Sequence, residues 1–216
     1  PEYSVEYSSL LTSPIPEKIL VDDERPGSSF NHELIDWLTK TPPEELEISP
    51  LNLSIGNFKK TKITTKELEY LTVELSWKSS ALEGNTYTLL DTQLLLTEGV
   101  RAKGKTEFET QMILNHKNAV TFIVENPDLF INAINFATLE ELHKIIGYNL
   151  GISAGVRKRL VKISASNYVP LSNPQQLREN ADMALNIIGR FSDPYMKSLM
   201  ALSLIPYLQI FEDGNK

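Results

Sequence analysis

The residues with the clearest chemical potential stand at the end of the chain, where Asp213, Gly214 and Asn215 follow an apolar helical stretch. An acidic oxygen can hold magnesium, and a glycine directly after it lets backbone N–H groups come close to a phosphate. The same triplet also reads as an ordinary turn, since Asp-Gly and Gly-Asn are common turn dipeptides. Three histidines are the other candidates for acid–base work. His116 and His143 fall on amphipathic helices, where a packed or capping role competes with that of a base, and His32 falls in the N-terminal arm. Glu212, beside the triplet, becomes a base only if its surroundings raise its pKa. With three histidines and no cysteine a closed zinc site is disfavoured, because structural zinc takes four nitrogen or sulfur ligands. A bound metal is therefore expected on oxygen.

Taken as one unit, Phe211-Glu212-Asp213-Gly214-Asn215-Lys216 resembles the core of the Fic-family signature, His-x-Phe-x-Asp/Glu-Gly-Asn-Gly/Lys-Arg-x-x-Arg. Phe211, Asp213, Gly214, Asn215 and Lys216 match in register. Far upstream, Ser79, Glu83 and Gly84 resemble the family's inhibitory pattern of Ser or Thr, three residues, Glu, then Gly or Asn. Asn115-His116 is a further family-like feature, as is the stretch from Ile163 to Val169, placed where Fic proteins carry a flap that positions a target peptide. The resemblance covers about residues 65–216.

The resemblance implies a mainly α fold, a Fic-like helical bundle with one β-hairpin flap. It implies a protein nucleotidyltransferase that performs AMPylation, passing AMP from ATP to a Ser, Thr or Tyr hydroxyl of a protein target. Asp213 would hold the magnesium that neutralises the α and β phosphates. Gly214, Asn215, Lys216 and neighbouring N–H groups would form the ATP cradle at a helix start, with Phe211 as buried support. Glu83 would pair with the second signature arginine and so autoinhibit the enzyme, while Ser79 would help to fix the inhibitory helix.

Gln209 stands where the family has its histidine. Glutamine has no titratable nitrogen near neutral pH and cannot take a proton from an attacking hydroxyl. Both signature arginines would fall beyond Lys216, so the chain reads as a piece of a longer protein whose C-terminal part is missing. Two functions follow: an autoinhibited nucleotidyltransferase impaired by Gln209, or a catalytically inactive Fic-like regulatory module that binds nucleotide or a protein partner. A helical scaffold would explain the periodicity but not the paired motifs.

The elements that must position these residues are mostly helical. Residues 1–62 form an N-terminal arm carrying a short helix, His32 to Lys40, ended by Pro42 and Pro43; residues 63–216 form the Fic-like domain. In the domain, Leu68, Leu71, Leu75 and Ala81 recur near helical spacing from Thr65 to Ser80, with Thr65 as cap and Gly84-Asn85 as stop. A second helix fits Leu89 to Glu98, closed by Gly99. A capping box of Thr106 with Glu109 opens a third, which runs to about Glu125 before Pro127, and Thr138 with Glu141 opens another that Gly147 to Gly151 terminates. Residues Arg159 to Leu171 read as a hairpin around Ser164-Ala165-Ser166-Asn167. Pro174 and Pro194, each at a first helical position, start helices to about Arg190 and Leu208.

Composition narrows the setting. Lys plus Arg number 21 against 28 Asp plus Glu, a net charge of -7, which opposes nucleic-acid binding. The one compact basic cluster, Arg157, Lys158, Arg159 and Lys162, reads as a solvated face and is given no function. No long apolar run or basic leader is present, so the expectation is a cytoplasmic chain that does not span a membrane and that is open to homo-oligomer formation.

Overall fold

The computed structural model describes residues 29–46, 63–132, 134–163 and 166–215. Most of the expected N-terminal arm, and Lys216, lie outside the described residues. Helix starts are set by side chains that take the N–H groups for which no i−4 carbonyl exists. α1 (His32–Lys40) is capped by Asn31 Oδ1, and the one-turn α2 (Pro43–Leu46) follows directly. α3 (Thr65–Leu82), α4 (Leu89–Glu98) and α5 (Glu107–Glu125) each open on a full capping box, Thr64 with Glu67, Thr88 with Asp91 and Thr106 with Glu109. The cap of α3 is therefore Thr64, one residue earlier than expected. Pro127 does more than end α5, since it takes the first position of the short α6 (Pro127–Ile131). α7 (Phe136–Ile146) begins two residues before Thr138, because Asn135 Oδ1 accepts from the Thr138 amide and so replaces the expected Thr138–Glu141 box. α8 (Pro174–Arg190) and α9 (Pro194–Leu208) start as their prolines indicate, capped by Asn173 and Asp193.

Packing follows from which helical faces are apolar. α8 carries Leu177, Ala181, Ala184, Leu185 and Ile188 at three- and four-residue spacing, all buried, and it packs on α9, α1 and α7. Phe30, Leu171, Ile210 and Phe211 join this core from outside the helices. Each fully buried Leu, Ile or Phe contributes roughly 1.5–3 kcal/mol, which fastens residues 210–211 to the centre of the molecule. α3 leans on α5 instead, and α5 on α7. The α3 contact differs from the expected stripe. Leu71 and Leu75 are exposed, and the buried face is Val73, Ser76 and Ser80, small residues that let the two helices approach closely.

The fold is mainly α, and among the described residues no strand forms. The expected β-hairpin flap within Arg159 to Leu171 is absent there, Ser164 and Ala165 lying outside the described residues. The carbonyls that a ladder would use are already taken. Arg157 donates Nη1 to Arg159 O at 2.8 Å and Nη2 to Leu171 O, and Phe30 N donates to Val169 O at 3.1 Å, leaving one isolated parallel bridge between Ser29 and Val169. No helix among the described residues is long and apolar enough to cross a membrane.

Candidate functional site

Ser79 and Glu83 at the end of α3, His116 on α5, Ile146 at the end of α7, and Asp213 and Gly214 after α9 line one cavity of about 140 Å³. Leu82, Phe108, Met112, Leu150 and Ile152 complete a mostly apolar wall. Two distant sequence motifs thus face the same space. The volume is below the roughly 300–1,000 Å³ of typical ligand sites, so the cavity as it stands takes a group smaller than a whole nucleotide.

The α3 side is held by a polar hub. Helix α3 passes through Glu83 into Gly84 at φ +87°, a left-handed value that favours glycine. Buried Asn85 then donates Nδ2 to Glu109 O at 2.7 Å and accepts from Tyr87 N at 3.0 Å. The Glu109 carboxylate receives the amide and hydroxyl of both Thr86 and Thr106, and these bonds, the Thr86 hydroxyl foremost, hold its pKa at about 2. Lys105 Nζ closes the hub on Thr86 O at 2.6 Å. The end of α3, with Glu83, is in this way pinned to the start of α5.

The loop side is a closed turn. Buried Asn215 accepts from Phe211 N and donates to Phe211 O, both at 2.8 Å, so its side chain ties residues 211–215 into a ring. Gly214 adopts φ +69°, and its amide donates to Asp213 Oδ1 at 2.7 Å. The loop amides of Phe211 and Gly214 are therefore used inside the loop, and Asn215 acts as a clamp. Phe211, 2% exposed, stacks on the His143 ring at 3.8 Å between centroids and 9° between planes. His143 Nε2 lies 3.0 Å from Asp213 O; since a carbonyl only accepts, Nε2 carries the proton and donates. Its Nδ1 is buried without a partner among the described residues. Burial holds the His143 pKa below the usual histidine range, against the opposing pull of Asp213 and Glu140.

Gln209 departs from its expected place opposite an attacking hydroxyl. It caps α9 at φ +50°, its Nε2 donates back to Pro206 O at 2.7 Å, and it does not line the cavity. The helix end needs an acceptor satisfied, and the amide serves that need. Glu212 is half-buried and also outside the lining. Lys216 lies outside the described residues.

Arg157, read in the sequence as part of a solvated basic face, is 1% exposed. Its Nε donates to Gln209 O at 2.6 Å and its backbone amide to Ile210 O at 3.0 Å, so it fixes the entry to the loop. Nothing in its local spacing sets it apart from Lys158 and Arg159, both exposed. Asn115 is a second structural anchor, donating Nδ2 to Ile146 O at 2.9 Å and Tyr148 O at 2.7 Å and so fixing α5 against the end of α7.

Among the described residues no three His, Asp or Glu side chains converge to hold a metal by themselves. Magnesium needs less, since one or two carboxylates with phosphate oxygens and water commonly complete its shell. The exposed Asp213 carboxylate fits that donor set. No lysine or arginine among the described residues lines the cavity. No family model matches the chain, and no curated protein matches it.

Proposed function

We propose that this chain is a nucleotide-binding, Fic-like module whose activity is protein AMPylation, held shut by the end of α3. The observation that carries the reading is the shared cavity, in which Ser79 and Glu83 meet Asp213 and Gly214. Asp213 would hold magnesium, which when bound neutralises charge on the α and β phosphates. Gly214 lets the backbone approach a phosphate, and Glu83 repels one. The small volume accords with a closed state in which α3 occupies part of the nucleotide's space.

The test is calorimetry of ATP with magnesium on wild type and Glu83→Gly. Removing a carboxylate from beside the phosphates relieves repulsion on the order of 1 kcal/mol, an affinity gain of about fivefold. Equal affinity in the two chains refutes the inhibitory role, and no binding by either refutes the nucleotide site. A second reading, a regulatory module without transfer, is favoured by the orientation of Gln209. Tight ATP binding with no AMP incorporated into protein decides for it.

A further inference from the structure

We propose that His116 is the proton acceptor of this cavity, the residue that takes the proton from the hydroxyl attacking the α-phosphorus of ATP. The inference rests on the nucleotidyl-transfer reading and deepens it. A hydroxyl oxygen that forms a bond to phosphorus must lose its proton, and a positioned base accelerates such a step. Three residues near the loop compete with His116 on sequence grounds. Gln209 has no basic nitrogen and turns its amide to Pro206 O. His143 spends Nε2 on Asp213 O and buries Nδ1 away from any partner among the described residues. Glu212 stands outside the lining.

His116 is placed differently. It lines the cavity with Asp213 and Gly214, and neither ring nitrogen has a hydrogen-bond partner among the described residues. Its position is not left to chance, because the preceding residue, Asn115, is 1% exposed and bonded to two carbonyls at the end of α7, which sets the rotation of α5 against Ile146. Burial of the ring lowers its pKa below the usual histidine range, which favours the neutral form that can accept a proton. The charged groups that share the cavity are the carboxylates Glu83 and Asp213. In the step, the new O–P bond forms as the bond from the α-phosphorus to the bridging oxygen breaks. Pyrophosphate leaves, and the proton rests on His116.

The test uses the 216-residue chain in a Glu83→Gly background, with and without His116→Gln. The probes are α-labelled ATP, magnesium and a peptide library carrying Ser, Thr and Tyr. Three quantities are read: ATP affinity by calorimetry, label transferred per minute, and the pH titration of the His116 ring by NMR with and without ATP and magnesium. The inference expects unchanged affinity, transfer lower by about 10²- to 10⁴-fold in His116→Gln, and a His116 pKa raised by bound triphosphate. The titration is read on unsubstituted His116, so it stands even if His116→Gln fails to fold. Equal transfer by the two chains, or an unmoved titration while calorimetry shows ATP bound, overturns the inference and leaves the nucleotide site standing. Binding without transfer by either chain overturns it in favour of the regulatory module. No binding at all overturns the functional reading, and the inference with it.

Discussion

Arg157 offers the sharpest test of how the loop is held. Its guanidinium is 1% exposed, has no carboxylate partner among the described residues, and donates to the carbonyls of Gln209, Arg159 and Leu171. In Arg157→Met the apolar stem and most of the volume remain, so packing changes little and the lost donors dominate. Arg159 is exposed and its carbonyl can turn to water, which leaves the Gln209 and Leu171 carbonyls without donors. A hydrogen bond to a charged group contributes roughly 1.5–3 kcal/mol net, so the two losses sum to at least about 3 kcal/mol. For a chain of this size that lowers Tm by at least about 6 °C, read by circular dichroism. Arg157→Lys separates charge from geometry. One ammonium cannot span the Gln209 and Leu171 carbonyls as the planar fork does, and the lysine variant should recover no more than about half of the loss. A methionine variant within about 1 kcal/mol of wild type, or a lysine variant with full stability, would refute the account of Arg157 as the bolt of the loop.

Asn215→Asp keeps the acceptor for Phe211 N but sets a carboxylate against Phe211 O. A local cost of about 2 kcal/mol should speed Phe211 amide exchange about 30-fold near neutral pH, with partial recovery in acid as the new carboxyl gains a proton to donate; pH-independent exchange would contradict the clamp. His116 and His143 both have folded pKa values below the unfolded one, so the unfolded chain binds protons first as pH falls. Their contribution is full above the usual value of about 6.5 and is lost as pH falls from there through the lowered folded pKa, so Tm should drop between pH 7.5 and 5 and drop less in His143→Phe, which keeps the stack on Phe211. A flat Tm profile would contradict both burials. Gln209→His in a Glu83→Gly background should change AMP transfer by no more than about threefold, because residue 209 faces Pro206 O; a rise of about 10² or more would return the base to that position.

What the sequence shows well here is what local chemistry decides. Thr106 with Glu109, Pro174 after Asn173 and Pro194 after Asp193 mark helix starts because a side chain or a proline ring meets the needs of a helix end with no help from the rest of the fold. The buried face of α3 is different. Its leucines suggest Leu71 and Leu75 as the core stripe, yet close contact with α5 selects Ser76 and Ser80, a preference that depends on the neighbour. The hairpin between Arg159 and Leu171 fails for a similar reason, since apolar alternation cannot reveal that a buried guanidinium claims the carbonyls at both ends of the segment. At the site, motif register places Asp213 and Gly214 beside Glu83 through resemblance alone. It assigns Gln209 a position in the chain but not the direction of its side chain. His116 is visible in the sequence as a candidate base and as part of a family-like Asn-His pair, but whether it is packed or available depends on a cavity assembled from three helices and a loop.

The buried arginine also has an electrostatic consequence. The loop from Ile210 to Asn215 leaves the C-terminal end of α9, where aligned peptide dipoles concentrate roughly half a negative charge. An anion placed there would be repelled by the helix that presents it. Arg157 Nε sits 2.6 Å from the capping carbonyl of Gln209 and sets a full positive charge against that end. Because the guanidinium is sealed from solvent, dissolved salt screens the cancellation only weakly. The protein has offset the adverse pole of a helix macrodipole, and it has done so from inside.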